Sequence, residues 1–207
     1  MAKNIVLNEL KSFIVIDNLD IYAEYLVELE KWNKAINLVS SKSSNDLVNR
    51  HILDSLQLME YIDIENEKIV DIGSGAGFPG IVLAIAGANF VRLVEPSFKK
   101  VTFLGHIKNI YKLSVVIDNC KWEELKNCDA TVVVSRAFAS LNELLNAMSH
   151  VSRETTASKG YFLKGEKLDH ELADAKCNWD FDYEIFQSQT SDSGKIIKIW
   201  DLKKHGS

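Results

Sequence analysis

Residues 68 to 80 read Lys-Ile-Val-Asp-Ile-Gly-Ser-Gly-Ala-Gly-Phe-Pro-Gly, a short apolar run that passes straight into four glycines. No other stretch so constrains the chemistry. Ile69, Val70 and Ile72 suit a buried strand. Gly73, Gly75 and Gly77 permit a sharp turn in which backbone approaches a ligand where a Cβ would collide. A strand running into such a turn is a cradle for a nucleotide-like cofactor. Gly75, Gly77 and Gly80 also satisfy G-x-G-x-x-G, a dinucleotide pattern that is weak by itself. Asp71 discriminates, because it lies inside the strand where a dinucleotide-binding strand continues apolar. Burying a carboxylate there costs several kcal/mol unless it is paired or hydrogen-bonded. It suits a cofactor with a cation at the strand end, and S-adenosylmethionine carries both an ammonium and a sulfonium.

Other candidates lie at the carboxyl ends of apolar runs. Phe90 to Val94 ends in Glu95, about where an acid meets ribose hydroxyls in such folds; the alternative is a solvated acid at a strand end. Arg136 follows the buried run Thr131 to Ser135, where ligands of open α/β sheets bind. Lys164 ends a further run before Gly165, either contacting phosphate or closing a solvated strand end. Arg50 and His51 open a helix that would lie over the cofactor mouth, with a hydrogen-bonded structural histidine and a helix-face ion pair as the alternatives. Asn33 and Asn37, a turn apart, complete polar contacts.

These residues need a scaffold. Leu7, Leu10, Phe13 and Ile14 are spaced as one helical face, Tyr22, Leu26, Leu29 and Trp32 as a second, and Ile52, Leu53, Leu56 and Met59 as a third. Ser40 to Ser44 breaks the second from the third, with Ser44 or Asn45 as N-cap. From Ile69 onward strands and helices alternate, with strands over 69–72, 90–95, 113–117, 130–135, 160–164, 182–187 and 196–202. Helical patterns fall near 79–87, 97–111, 140–151 and 166–177. Only Ser188 to Lys195 separates the last two strands, which therefore form an antiparallel hairpin. The expectation is an α/β fold: a Rossmann-like, seven-stranded, mostly parallel sheet with a C-terminal antiparallel hairpin. Residues 1–66 form a helical cap on a catalytic unit spanning 67–207.

Composition limits the function classes. The 207 residues suffice for one well-buried unit. No apolar run approaches a bilayer span and no secretory signal opens the chain, so a soluble, cytoplasmic protein is expected. Cys120, Cys128 and Cys177 show no C-x-x-C and no metal-cage spacing, which predicts reduced thiols and no metal site. The net charge of −5 is unevenly placed: residues 1 to 68 carry 7 basic and 12 acidic residues, the remainder 17 of each. From Arg92 to Arg136 the balance is 8 basic to 5 acidic, including Lys99, Lys100, Lys108, Lys112 and Lys121. That window is either a local positive face or a set of solvated helix faces.

The motif D-x-G-x-G-x-G resembles the first motif of class I methyltransferases. Further strings are Trp32-Asn-Lys-Ala-Ile-Asn-Leu38, Arg50-His-Ile-Leu-Asp-Ser55, Phe78-Pro-Gly80, Ser135-Arg-Ala-Phe-Ala-Ser140 and Phe162-Leu-Lys-Gly165. In that order and spacing they resemble the RsmG family, also called glucose-inhibited division protein B. Its members are bacterial methyltransferases that modify N7 of one guanine in 16S ribosomal RNA. The resemblance runs from about residue 25 to the last strand. It implies S-adenosylmethionine as cofactor, and small-subunit ribosomal RNA or the ribosomal subunit as partner of a monomeric enzyme. Position by position it implies that Gly73, Phe78, Glu95, Trp122, Glu123 and Arg136 line the cofactor site with Asp71, Gly75 and Gly77. Arg50, His51, Lys100 and Lys164 are the RNA candidates. The family commonly carries arginine two residues before the acid Glu123, where this chain has Lys121.

Missing motifs narrow the acceptor. Exocyclic-amine methylases resemble one another in an Asn- or Asp-Pro-Pro-aromatic motif, yet this chain has only Pro79 and Pro96. Pyrimidine-carbon methylation usually needs a cysteine nucleophile beside a proline, and no Pro-Cys pair is present. Guanine N7 has a free lone pair and no proton to lose, so attack needs no general base. Arg136 then positions cofactor or phosphate. Three other readings stay open: a methyltransferase for a different RNA, protein or small molecule, an NAD-dependent oxidoreductase, and a catalytically silent RNA-binding protein.

Overall fold

Ile69, Val70 and Ile72 of strand β1 (Lys68–Ile72) are all buried, as are Val132, Val133 and Val134 of β4 (Val132–Arg136). Strands with no polar face need layers on both sides, which is the condition of a parallel sheet. β1 pairs in parallel with β4 and with β2 (Phe90–Val94). β2 in turn pairs with β3 (Val115–Asp118), and β4 with β5 (Lys159–Lys164), again in parallel. β6 (Trp179–Gln187) and β7 (Lys195–Lys204) are antiparallel, and β7 is antiparallel to β5. The sheet order is β3-β2-β1-β4-β5-β7-β6. The expected architecture is therefore present, hairpin included. Connections leave β1 and β4 in opposite directions, opening a crevice at their carboxyl ends.

This computed structural model describes residues 19–39, 48–126, 128–152 and 158–206. The helix expected around Leu7 to Ile14, and the serine break with its N-cap, lie outside them. The second expected helix is α1 (Leu19–Ile36), with Tyr22, Tyr25, Leu26 and Leu29 buried. The third, α2, runs from Val48 to Glu60 as successive π, α and 3-10 turns. It buries Ile52, Leu53 and Leu56 but leaves Met59 on the surface. Then come α3 (Gly80–Ile85), α4 (Phe98–Tyr111), α5 (Leu141–Val151) and α6 (Leu168–Ala175).

The helices form two layers. α1 to α4 share one apolar cluster with Ile69, Val91, Leu93, Val132 and Val134 of the sheet. α5 and α6 pack with Val70, Ile72, Val133 and Phe162 on the opposite face, as the period-two alternation of strand side chains requires. Two tyrosines of α1 carry polar tips into this packing. The Tyr22 hydroxyl donates to Val82 O at 3.1 Å, and that of Tyr25 donates to Ala76 O inside the glycine turn. Asn33 bridges to Val39, donating to its carbonyl at 3.0 Å and accepting from its N–H at 2.9 Å, which closes the end of α1.

Candidate active site

The glycine turn is held by two carboxylates. Gly73 N and Ser74 N donate to Val94 O at 2.9 and 3.2 Å, drawing the turn against the end of β2. Glu95 then accepts from Gly75 N at 2.9 Å and from Ser97 N at 2.8 Å. Asp71 accepts from Gly80 N at 2.9 Å, fixing the first turn of α3. Gly73 is left-handed (φ +70°), and a Cβ there would lie 2.2 Å from Phe138 Cδ2. A Cβ at Gly80 would lie 2.7 Å from Asp71 Oδ2. Both positions therefore demand glycine.

Asp71 lies beneath the turn, fully buried, and burial pushes its carboxyl up to about 7 despite the Gly80 N–H and the Arg136 charge. Its Oδ1 has no hydrogen-bond partner. The carboxylate shapes the turn from below and does not open onto its outer face. Outside the turn lies a cleft of about 250 Å³ walled by Gly73, Val94, Pro96, Trp122, Glu123 and Phe138. Trp122 and Glu123 reach it from a 3-10 turn after β3. The Trp122 ring also meets His150 edge-on, with centroids 5.7 Å apart, so it both packs and lines the cleft.

A polar cluster joins α2 to β4. Phe78, nearly buried, stacks on His51 with ring centroids 4.7 Å apart and planes 22° apart, and it meets Tyr25 at 5.5 Å. The Arg136 guanidinium carbon lies 5.2 Å from the Phe78 centroid, Nη2 abuts His51 Nδ1, and Nη1 is 3.8 Å from Asp54 Oδ2. A guanidinium only donates, so this contact makes Nδ1 the accepting nitrogen. Burial lowers the Arg136 pKa, while Asp54 is the strongest influence favouring its charge. Asp54 is pushed up by burial despite Arg136, and it accepts from Gln57 Nε2 at 2.7 Å and Thr190 Oγ1 at 3.0 Å.

The remaining candidates divide. Lys164 is neither a free phosphate ligand nor a solvated strand end: its side chain is 8% exposed, donates to Ala139 O at 2.8 Å and pairs with Glu171 at 2.5 Å. Glu171 also accepts from Leu141 N at 2.7 Å, so Lys164 is spent tying β5 to α5 and α6. Lys100 is half-buried on α4, outside the linings of both clefts of the site. Arg50 shares the first turn of α2 with His51, and the expectation for its side chain lies outside the described residues. Tyr25, Asp54 and Phe138 complete the site although sequence reasoning did not single them out. Asp54 and Phe138 stand inside the Arg50 to Ser55 and Ser135 to Ser140 strings, and Tyr25 shares the apolar face of α1. Those were the available signals.

Past Phe138 the cleft gives way to a basin of about 930 Å³ at the ends of β4 and β5, against the β6–β7 turn. Arg136, Ser140, Lys167, Thr190 and Lys195 line it. The site is thus a narrow glycine-floored cleft beside a broad open one. Cys120, Cys128 and Cys177 are free thiols. Among the described residues no helix is long and apolar enough to cross a membrane.

A seven-stranded sheet in this order, with its crevice at the glycine turn, defines the class I S-adenosylmethionine-dependent methyltransferase fold. Solved structures agree: the chain is similar to a ribosomal protein L11 methylase from Lactobacillus delbrueckii subsp. bulgaricus. That likeness has a TM-score of 0.58 at 13% identity, over 79% of this chain and 81% of that one. The magnesium protoporphyrin IX methyltransferase of Synechocystis PCC 6803 matches with a TM-score of 0.56 at 13% identity, over 84% and 96%. Within this class the sequence model for rRNA small subunit methyltransferase G matches residues 18–198, and the chain belongs to that family. It is 42% identical to the ribosomal RNA small subunit methyltransferase G of Rickettsia prowazekii over 190 residues, 92% of this chain and 96% of the relative. The relative of that name from Rickettsia typhi is 43% identical over the same length.

Proposed function

We propose that this chain transfers a methyl group from S-adenosylmethionine to N7 of a guanine in small-subunit (16S) ribosomal RNA. The observation that carries the reading is the junction at Phe138, where a nucleoside-sized cleft floored by glycine meets a basin wide enough for a base on its RNA strand. The residues fit the cofactor. Gly73 on one side and Trp122 and Glu123 on the other bound the cleft for adenine, and Glu95 at the end of β2 holds the turn through Gly75 N and Ser97 N, with the remaining lone pairs of its oxygens left for ribose hydroxyls. Asp71 acts through the turn it braces, and Phe78 through Arg136 and His51, which it supports.

When bound, S-adenosylmethionine supplies an electrophilic methyl on a sulfonium, which the N7 lone pair takes up as the carbon–sulfur bond breaks and its electrons return to sulfur. No proton moves, so no side chain need serve as general base. Arg136, anchored by Asp54 and leaning on Phe78, is a positioning group at the junction of the two clefts. Lys167 on the basin supplies positive charge for phosphates, while Lys195 beside it is paired with Asp169 at 3.3 Å; Lys100 on α4 is a further candidate for the RNA backbone. In this reading the described helices before residue 67, α1 and α2, cap the unit that begins there, and the protein works as a monomer in the cytoplasm.

The test incubates the protein with methyl-labelled S-adenosylmethionine and small ribosomal subunits lacking the modification, then maps the product by mass. A 7-methylguanine at one position is expected. Label on an exocyclic amine, a ribose, a protein or a free small molecule would overturn the reading.

A further inference from the structure

Phe138 is 39% exposed, and among the described residues no other ring stacks on it. It is placed with unusual constraint. Its ring lies so close over Gly73 that any β-carbon there would overlap it, and the preceding Ala137 is left-handed (φ +51°), which L-residues adopt only where the surroundings hold them. Phe138 also lines both the glycine cleft and the open basin. An aromatic face at the boundary between a methyl donor and its acceptor is positioned for stacking.

We infer that Phe138 is the platform on which the acceptor guanine stacks, presenting N7 to the glycine cleft. This assignment rests on the guanine-N7 reading above. Methylation at N7 leaves the purine positively charged, and the electron-rich face of a phenyl ring attracts a developing cation. The neighbouring Arg136 could not do this, since its own charge would repel the product. Asp54, His51 and Phe78 engage its guanidinium on the α2 side of the junction. Phe138 can stack on any base, so choice of guanine has to come from polar contacts around it.

The experiment compares Phe138→Leu, which keeps apolar bulk over Gly73 but removes the π face, with Phe138→Tyr, which restores it. Cofactor affinity is read by calorimetry, and methylation by single turnover at saturating small subunits. Because Phe138 also walls the cofactor cleft, Phe138→Leu is compared with S-adenosylmethionine saturating, where turnover should fall roughly 10- to 100-fold, the range that loss of one base stack implies, and by clearly more than any loss of cofactor affinity. Phe138→Tyr should return to within about threefold. Unchanged turnover in Phe138→Leu, a parallel loss of cofactor binding and rate, or failure of Phe138→Tyr to rescue would each overturn the assignment. The product of the unsubstituted chain separates the two levels. If it is not 7-methylguanine, the activity and this assignment fall together; if it is, and Phe138→Leu makes it as fast, only the stacking role falls.

Discussion

Asp71 and Arg136 show how a side chain's surroundings set its task. Burial raises the Asp71 carboxyl from 3.8 to about 7, so across that window the folded chain holds a proton that the unfolded chain has lost. A raised carboxyl pKa costs stability as pH rises: the contribution is intact below 3.8 and lost by about 7, in total of order a few kcal/mol. Asp71→Asn carries no such proton. Its urea midpoint should therefore gain on that of the unsubstituted protein between about pH 4 and about pH 7, and parallel curves across that range would contradict the buried acid. At Arg136 the consequence is functional. Arg136→Ala leaves Asp54 without its guanidinium, so urea unfolding should show a loss of about 1–3 kcal/mol in a protein that still folds. Single-turnover methylation should fall by about 100-fold or more. Near-normal turnover would remove Arg136 from the positioning role.

Elements matter here through their contact with the glycine turn. α1 is remote from the turn in sequence, yet Tyr25 reaches from it to Ala76 O, while Tyr22 reaches Val82 O in α3. Both hydroxyls are buried, so Tyr25→Phe removes the donor to Ala76 O and should cost about 1–2 kcal/mol by urea denaturation, whereas Val82 O keeps the Ala86 N–H at 3.0 Å and Tyr22→Phe should cost about 0.5–1 kcal/mol. Only Tyr25→Phe should also weaken S-adenosylmethionine binding measured by calorimetry, because only Tyr25 touches the turn. Equal effects of the two variants on affinity would show that α1 acts through general stability. The helical nature of α1 could be read from its apolar spacing, but the reach of its tyrosines could not, since periodicity assigns a face and not a partner. Lys164 fails in the same way. A lysine at a strand end reads as exposed, and only the packing of α6 brings Glu171 to it.

At the scale of the whole molecule, an acidic protein is proposed to bind a polyanion, so the placement of its cations matters more than their sum. The excess acid lies in residues 1 to 68, and the basin sets Arg136, Lys164, Lys167 and Lys195 against Asp54, Glu166 and Glu171. Methylation of ribosomal particles should therefore fall steeply between about 50 and 200 mM salt, whereas a flat response would favour a small acceptor. The sheet itself was legible in the sequence: uninterrupted apolar runs predict strands covered on both faces, and the short spacing before Lys195 predicts the closing hairpin. So was the glycine turn, because the left-handed backbone at Gly73, Gly75 and Gly77 admits few residue types, whereas the side chains that crowd Gly73 and Gly80, Phe138 and Leu93, arrive only with packing. What the tertiary structure alone decided is the convergence of His51, Asp54, Phe78 and Arg136 into one cluster, the enclosure of Asp71, and the place of Phe138 between two clefts. Local pattern encodes the conformation and burial of a segment. Which side chains from distant segments face each other depends on how the layers pack, and that is settled only when the whole chain has folded.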